Sequence, residues 1–311
     1  MLDPRDIYEI DPQVEAELVA AATEGATGPV LINALRGFVD AGNVGQVAVE
    51  HVLGTAEPRR LVTFDVDQLV DYRSKRPTMV FDASTWAEYN APVLAVDLAR
   101  DGEGTAFLVL HGSEPDVQWE RFVLAVASLV ERFRVSLTVG TYGIPMGVPH
   151  TRGLSVTSHA TTDSLLGVTA PWFGRVTVPA SVANLLEFRL GERGHDALGF
   201  AVHVPHYLAQ SSYPPAAVVA LTQVESVTGL DLRTGGLEGA AEEARDEVAR
   251  QVRESVEVAE VVRGLEEQYD AFVRSSEREN LLADAVPIPT AEELGAEFER
   301  FLSQRGDGQP G

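Results

Sequence analysis

Apolar residues along the first 230 positions fall into short blocks that switch between strand-like and helix-like spacing. Residues 30–35 form a continuous apolar run. A glycine-bounded turn, Gly37-Phe38-Val39-Asp40-Ala41-Gly42, follows it, and helical spacing takes over across 44–53. Blocks 61–66, 78–81, 93–98 and 105–110 predict strands. Residues 116–133 predict a strongly amphipathic helix, with Trp119, Phe122, Val123, Val126, Leu129 and Val130 on one face and Asp116 as its N-cap. Strands at 137–141, 154–158 and 197–204 alternate with helices at 182–190 and 214–228.

This alternation predicts an α/β fold with three layers, α/β/α, around a mixed, mostly parallel central sheet. The mixed character comes from 93–110, where two apolar runs joined by Arg100-Asp101-Gly102-Glu103-Gly104 predict a hairpin. The pattern then changes at 231. Residues 231–311 carry 20 acidic and 9 basic residues, and few aromatics remain. Leu237, Ala241, Val248, Val252, Ala259, Val262, Tyr269 and Phe272 recur at three- and four-residue steps, which predicts a long helix with a narrow apolar stripe. After Pro287 and Pro289, Thr290-Ala291-Glu292-Glu293 has the pattern of a capping box and predicts a last helix through Leu302, followed by a disordered tail. The expected organisation is a core domain over 1–230 and a charged helical extension over 231–311.

Composition narrows the chemistry. The formal net charge of −23 makes nucleic acid and anionic membranes poor partners, because phosphate binding needs clustered cations. The chain has no cysteine, which excludes disulfides, thiolate metal sites and cysteine nucleophiles. The N-terminal residues lack the basic and apolar segments of a signal peptide, and no run approaches the ~18 apolar residues of a membrane span. These features predict a cytoplasmic protein.

Polar residues concentrate where strands meet loops. Asp40 lies in the turn after the first apolar strand. It is read either as a helix cap or as a ligand contact at the carboxyl edge of a parallel strand. His111 and Glu114 follow the strand at 105–110, and Glu120 and Arg121 open the next helix. His150 and Arg152 sit in a proline-stiffened loop, and His159 and His206 lie at two further strand ends. With His203, five histidines fall at strand ends or edge loops, yet no pair has the helical spacing of a zinc protease. There is no Gly-x-Ser-x-Gly elbow, phosphate-binding P-loop or dinucleotide fingerprint. Neither a cofactor nor a metal is expected, and no catalytic set can be named.

Five segments, taken in order, resemble the proteasome assembly chaperone 2 family over roughly residues 25–230. The first three are Gly37-Phe38-Val39-Asp40-Ala41-Gly42, Leu110-His111-Gly112-Ser113-Glu114-Pro115 and Trp119-Glu120-Arg121-Phe122. The others are Gly143-Ile144-Pro145-Met146-Gly147-Val148-Pro149-His150-Thr151-Arg152 and Val204-Pro205-His206-Tyr207-Leu208. The resemblance implies a phosphorylase/hydrolase-like α/β fold. It also implies self-assembly, with a homotrimer favoured, and action on a protein client through protein–protein contacts. Archaeal-type relatives dock through a C-terminal hydrophobic-Tyr-any motif, which residues 308–311, Gly-Gln-Pro-Gly, do not match. The alternatives are a hydrolase or phosphorylase-like enzyme, or a small-ligand-binding module, using a pocket at the sheet edge around Asp40, His111, Glu114, His150 and Arg152.

Overall fold

The computed structural model describes residues 2–24, 28–166 and 174–279. The expected helix at 290–302 and the tail lie outside them. Residues 1–265 form one compact unit, so the composition change at 231 falls inside it. Residues 266–279, in the second unit, are helical.

The elements follow in chain order. A three-residue strand β1 (Tyr8–Ile10) leads into helix α1 (Pro12–Glu24), β2 (Val30–Arg36), α2 (Val44–Thr55), β3 (Arg59–Phe64) and the single turn α3 (Val66–Leu69). Then come β4 (Met79–Asp82), β5 (Thr85–Tyr89), β6 (Leu94–Arg100), β7 (Ala106–Ser113) and α4 (Trp119–Arg132). The chain continues with β8 (Leu137–Met146), β9 (Val156–Ala160), α5 (Val182–Glu192), β10 (Ala197–Pro205) and α6 (Pro214–Thr228). The last elements among the described residues are α7 (Glu238–Glu254) and α8 (Val256–Glu279).

Eight strands form one sheet in the order β1-β3-β6-β7-β2-β8-β10-β9. β7, β2, β8 and β10 run parallel at its centre, while β6 and β9 are antiparallel to their neighbours on either flank. Following the pairings outward, β3 points with the central four and β1 against them. Five strands therefore share one direction, and the expected mixed, mostly parallel sheet is present.

Strand alternation divides the core between the two faces. Leu108 and Leu110 of β7 join Val14 and Leu18 of α1, Phe122, Val126 and Leu129 of α4, and Leu186 of α5. Phe107 and Val109 face the other way and meet Ala48 and Val52 of α2 and Ala217 and Leu221 of α6. This gives helices on both faces, the three-layer arrangement. Both faces of the central strands are covered, which explains their unbroken apolar runs.

Three local departures from the sequence pattern have physical causes. α4 starts at Trp119 behind Gln118, whose φ is 59°. Asp116 is drawn away from the cap position, pairing with Lys75 at 2.9 Å and accepting from the Asp71 N–H at 2.8 Å. The long helix expected after Leu237 is broken at Ser255, which is extended (φ −130°, ψ 115°). Its stripe is still used: Ala241 is buried, and Val248 packs against the cluster that contains Ala216 and Ala220 of α6. β8 runs on to Met146 despite Pro145, because β2 pairs with it only as far as Gly140 and leaves the later residues with β10 alone.

The β2–α2 turn packs tightly against the end of β8. A Cβ added at Gly143 would lie 1.9 Å from the Ala41 carbonyl oxygen. Gly143→Ala should therefore destabilise the fold by about 1–3 kcal/mol through overpacking, seen as a lower midpoint in urea unfolding. An unchanged midpoint would show that this contact yields freely.

Candidate functional site

Asp40 sits where the turn meets both α2 and β8. Its carboxylate accepts the N–H groups of Gly45 at 2.9 Å, Gln46 at 3.2 Å and Gly143 at 3.0 Å. Burial pushes its pKa up, and the backbone donors oppose that shift. The side chain thus caps the first turn of α2 and ties it to the end of β8. Glu114, 7% exposed, acts in the same way on another helix, where one of its oxygens accepts the Val182 N–H at the start of α5. Lys75, the one lysine in the chain, donates to the Glu114 carbonyl at 2.6 Å. Arg121 is also buried. It donates to the Asp3 carbonyl and to Gln68 Oε1, both at 2.9 Å, and so anchors the N-terminal segment on α4. Glu120 forms a two-point pair with Arg189, joining α4 to α5 at the surface.

The histidines go to several places. His111 lies within β7, with Nε2 2.8 Å from Asp97 Oδ2, and Arg60 donates to the other oxygen of that carboxylate. Burial disfavours the Asp97 charge, yet the bonds from His111 and Arg60 outweigh it and hold the pKa below the usual carboxylate range. His150 has the Tyr207 hydroxyl 2.7 Å from its Nδ1. Arg152 lies in the same loop, its Nη1 3.5 Å from the Thr151 carbonyl. His206 is exposed and stacks edge-on against Tyr207, 5.4 Å between ring centres. Asp40, His111 and Glu114 thus belong to three separate hydrogen-bonded networks. No three His, Asp or Glu side chains among the described residues gather as a metal site.

His159 is different, because it opens onto a cavity of about 600 Å³ between α5 and the β8–β10–β9 end of the sheet. Its Nδ1 lies 2.8 Å from Glu187 Oε1, and its Nε2 lies 3.2 Å from the Tyr142 hydroxyl. Burial and the Glu187 charge push the Tyr142 phenol up to about 12, so it remains protonated at neutral pH. The ring lies on Gly199 of β10, where an added Cβ would come within 2.0 Å of it. In the sequence His159 is legible as a strand-end histidine. Tyr142 and Glu187 are not legible there, since they reach it from β8 and α5.

A second surface feature is the β4–β5 hairpin, which forms its own two-stranded sheet. The cross-strand pairs Met79–Tyr89 and Phe81–Trp86 carry its apolar side chains. All four are about half exposed or more, and Phe81 and Trp86 meet edge-to-face at 5.0 Å. The sequence pattern marks the first strand only. The second is interrupted by a register shift opposite Val80 and Phe81, so its alternation is lost.

An open, mixed α/β sheet with stapled edge turns and an exposed aromatic hairpin defines the structural class. The sequence model of the PAC2 family matches residues 34–252, and the chain belongs to that family. A Mycobacterium tuberculosis protein of unknown function is 41% identical, with a TM-score of 0.82 over 88% of this chain and 92% of its own. A Corynebacterium glutamicum protein of unknown function is 35% identical, with a TM-score of 0.79 over 86% and 98%. A Mycobacterium tuberculosis proteasome-assembly chaperone homologue shares the fold at 24% identity and a TM-score of 0.69, over 75% and 99%. No curated protein matches the chain. Among the described residues no helix is long and apolar enough to cross a membrane.

His203 provides a test of how a buried strand histidine acts. It is fully buried on β10, with Nε2 2.8 Å from Thr157 Oγ1, and burial pushes its pKa down from 6.5 to about 4. The unfolded chain binds this proton more readily, so stability is complete above pH 6.5 and falls as the pH drops towards 4. The loss should reach about 3 kcal/mol by the lower limit. Urea unfolding at stepped pH should show that slope in the wild type and a flatter one in His203→Gln. Equal slopes would contradict the assignment.

Proposed function

We propose that this PAC2 protein is a chaperone-like protein that acts through protein–protein contacts and self-assembles, with a homotrimer as the favoured oligomer and a protein client as its partner. The observation that carries this reading is the β4–β5 hairpin. An isolated two-stranded hairpin is marginally stable in water, and aromatic side chains on such an element gain stability only by packing on something. In a single chain Phe81 is 57% exposed and Trp86 66%. Exposed apolar clusters of this kind mark interaction surfaces. The family membership and the fold shared with a proteasome-assembly chaperone homologue support the same reading. So does the use of Asp40, Glu114 and Arg121 as staples between elements rather than as a convergent reactive set. A cytoplasmic setting is part of the proposal, in keeping with the acidic, cysteine-free composition.

Native mass spectrometry of the full chain should show a mass of three chains. The Phe81→Ser/Trp86→Ser double variant should shift that mass to monomer while its far-ultraviolet circular dichroism stays unchanged. A wild-type monomer at micromolar concentration, or a double variant that keeps the full oligomer, would overturn the proposed role of the hairpin in self-assembly.

A further inference from the structure

The cavity at His159 has a chemical bias in its lining. Tyr142, His159, Thr161, Glu187 and Glu192 supply its ionisable and hydroxyl groups. Glu192 is paired with Arg189 at 2.7 Å, whereas Glu187 is the carboxylate held by His159. With the His159 ring neutral, one arrangement of protons satisfies the central three. The Glu187 carboxylate can only accept, so His159 donates through Nδ1, 2.8 Å away. In the neutral tautomer Nε2 then accepts the Tyr142 proton across 3.2 Å. The phenol has committed its only proton to His159, and its oxygen lone pairs remain to accept from the cavity. Thr161 is committed in the same sense: its hydroxyl donates to the Ala197 carbonyl and accepts the Ala197 N–H. Phe188, 60% exposed, adds an aromatic ring to the lining.

We propose that this cleft is a binding site for an organic cation rich in N–H donors, a guanidinium or primary ammonium group carried on an apolar stem. The Glu187 carboxylate and an oriented phenol oxygen provide the acceptors, and Phe188, whose ring already has the Arg189 guanidinium 5.5 Å from its centre, offers apolar surface to the stem. The volume lies within the range of small-ligand sites. Gly199 is part of the construction, since any side chain there would drive the His159 ring from its place and break the Tyr142–His159–Glu187 chain. The site lies on the sheet face that packs against α5, remote in sequence from the hairpin, and does not depend on the hairpin's role.

The chemistry could be presented by a free small cation or by an arginine on a partner, and calorimetry on the full chain separates the two. Agmatine represents the first source and N-acetylarginine amide the second, with N-acetylcitrulline amide as the neutral match. At least one cation should bind saturably with one site per chain, and the citrulline amide should bind about tenfold more weakly or not at all. Glu187→Gln should weaken binding of the cation about tenfold. Tyr142→Phe is read in its place if that variant fails to fold by circular dichroism. Glu242→Gln, on an exposed part of α7, should leave affinity unchanged and controls for attraction to the chain's overall negative charge. No saturable binding of either cation would overturn the proposal. So would equal binding of the citrulline amide, or a loss in Glu242→Gln as large as in the cleft variants.

Discussion

The close approach of the Ala41 carbonyl to Gly143 is the constraint around which the sheet edge is built. It requires a bare α-carbon at 143, and it places the end of β8 against the β2–α2 turn. Asp40 then has three backbone N–H groups within reach from two different elements, and its carboxylate holds them together. Gly42 extends the same joint. Its φ is +70°, and its N–H and carbonyl bond to Ala209 and Tyr213, which fixes the entry to α6. A single carboxylate and two glycines thus set the relative positions of β2, α2, β8 and α6. Glu114 repeats the device at the start of α5. Carboxyl oxygens aimed at helix N-termini satisfy donors that would otherwise be buried without partners.

That arrangement explains why the edge motifs resemble a reactive site in the sequence. Glycine, aspartate, glutamate and histidine at the carboxyl ends of parallel strands are the residues of ligand sites in open α/β folds. They are equally the residues needed to terminate strands, reverse the chain and cap helices. Here Asp40, Glu114 and Arg121 are used in the second way, and His111 is held within its strand by Asp97. Composition cannot separate the two uses, because the distinction lies in what each side chain faces.

The fold was legible where burial is two-sided and long. The runs in β2, β7 and β10 and the amphipathic α4 follow directly from their residues. What could not be read depends on tertiary neighbours. Asp116 is a good N-cap by type, but Lys75 and the Asp71 N–H claim it. The β5 strand carries a register shift that erases its alternation. His159 is visible as a strand-end histidine, whereas the Tyr142 and Glu187 that give it a chemical role lie 17 residues before and 28 after it. Of the two surfaces that stand out, the hairpin and the cleft, neither lies in the motifs that mark the family.

If the β4–β5 hairpin is the assembly surface, its backbone amides must slow their exchange when chains associate, and hydrogen–deuterium exchange across a dilution series reads this directly. Amides of residues 79–89 should gain protection as protein concentration rises through the association range, while those of β2 and β10 stay equally protected throughout. Protection of 79–89 that is the same at every concentration, in a protein whose mass nonetheless changes, would place the contact elsewhere and rule out assembly through the hairpin.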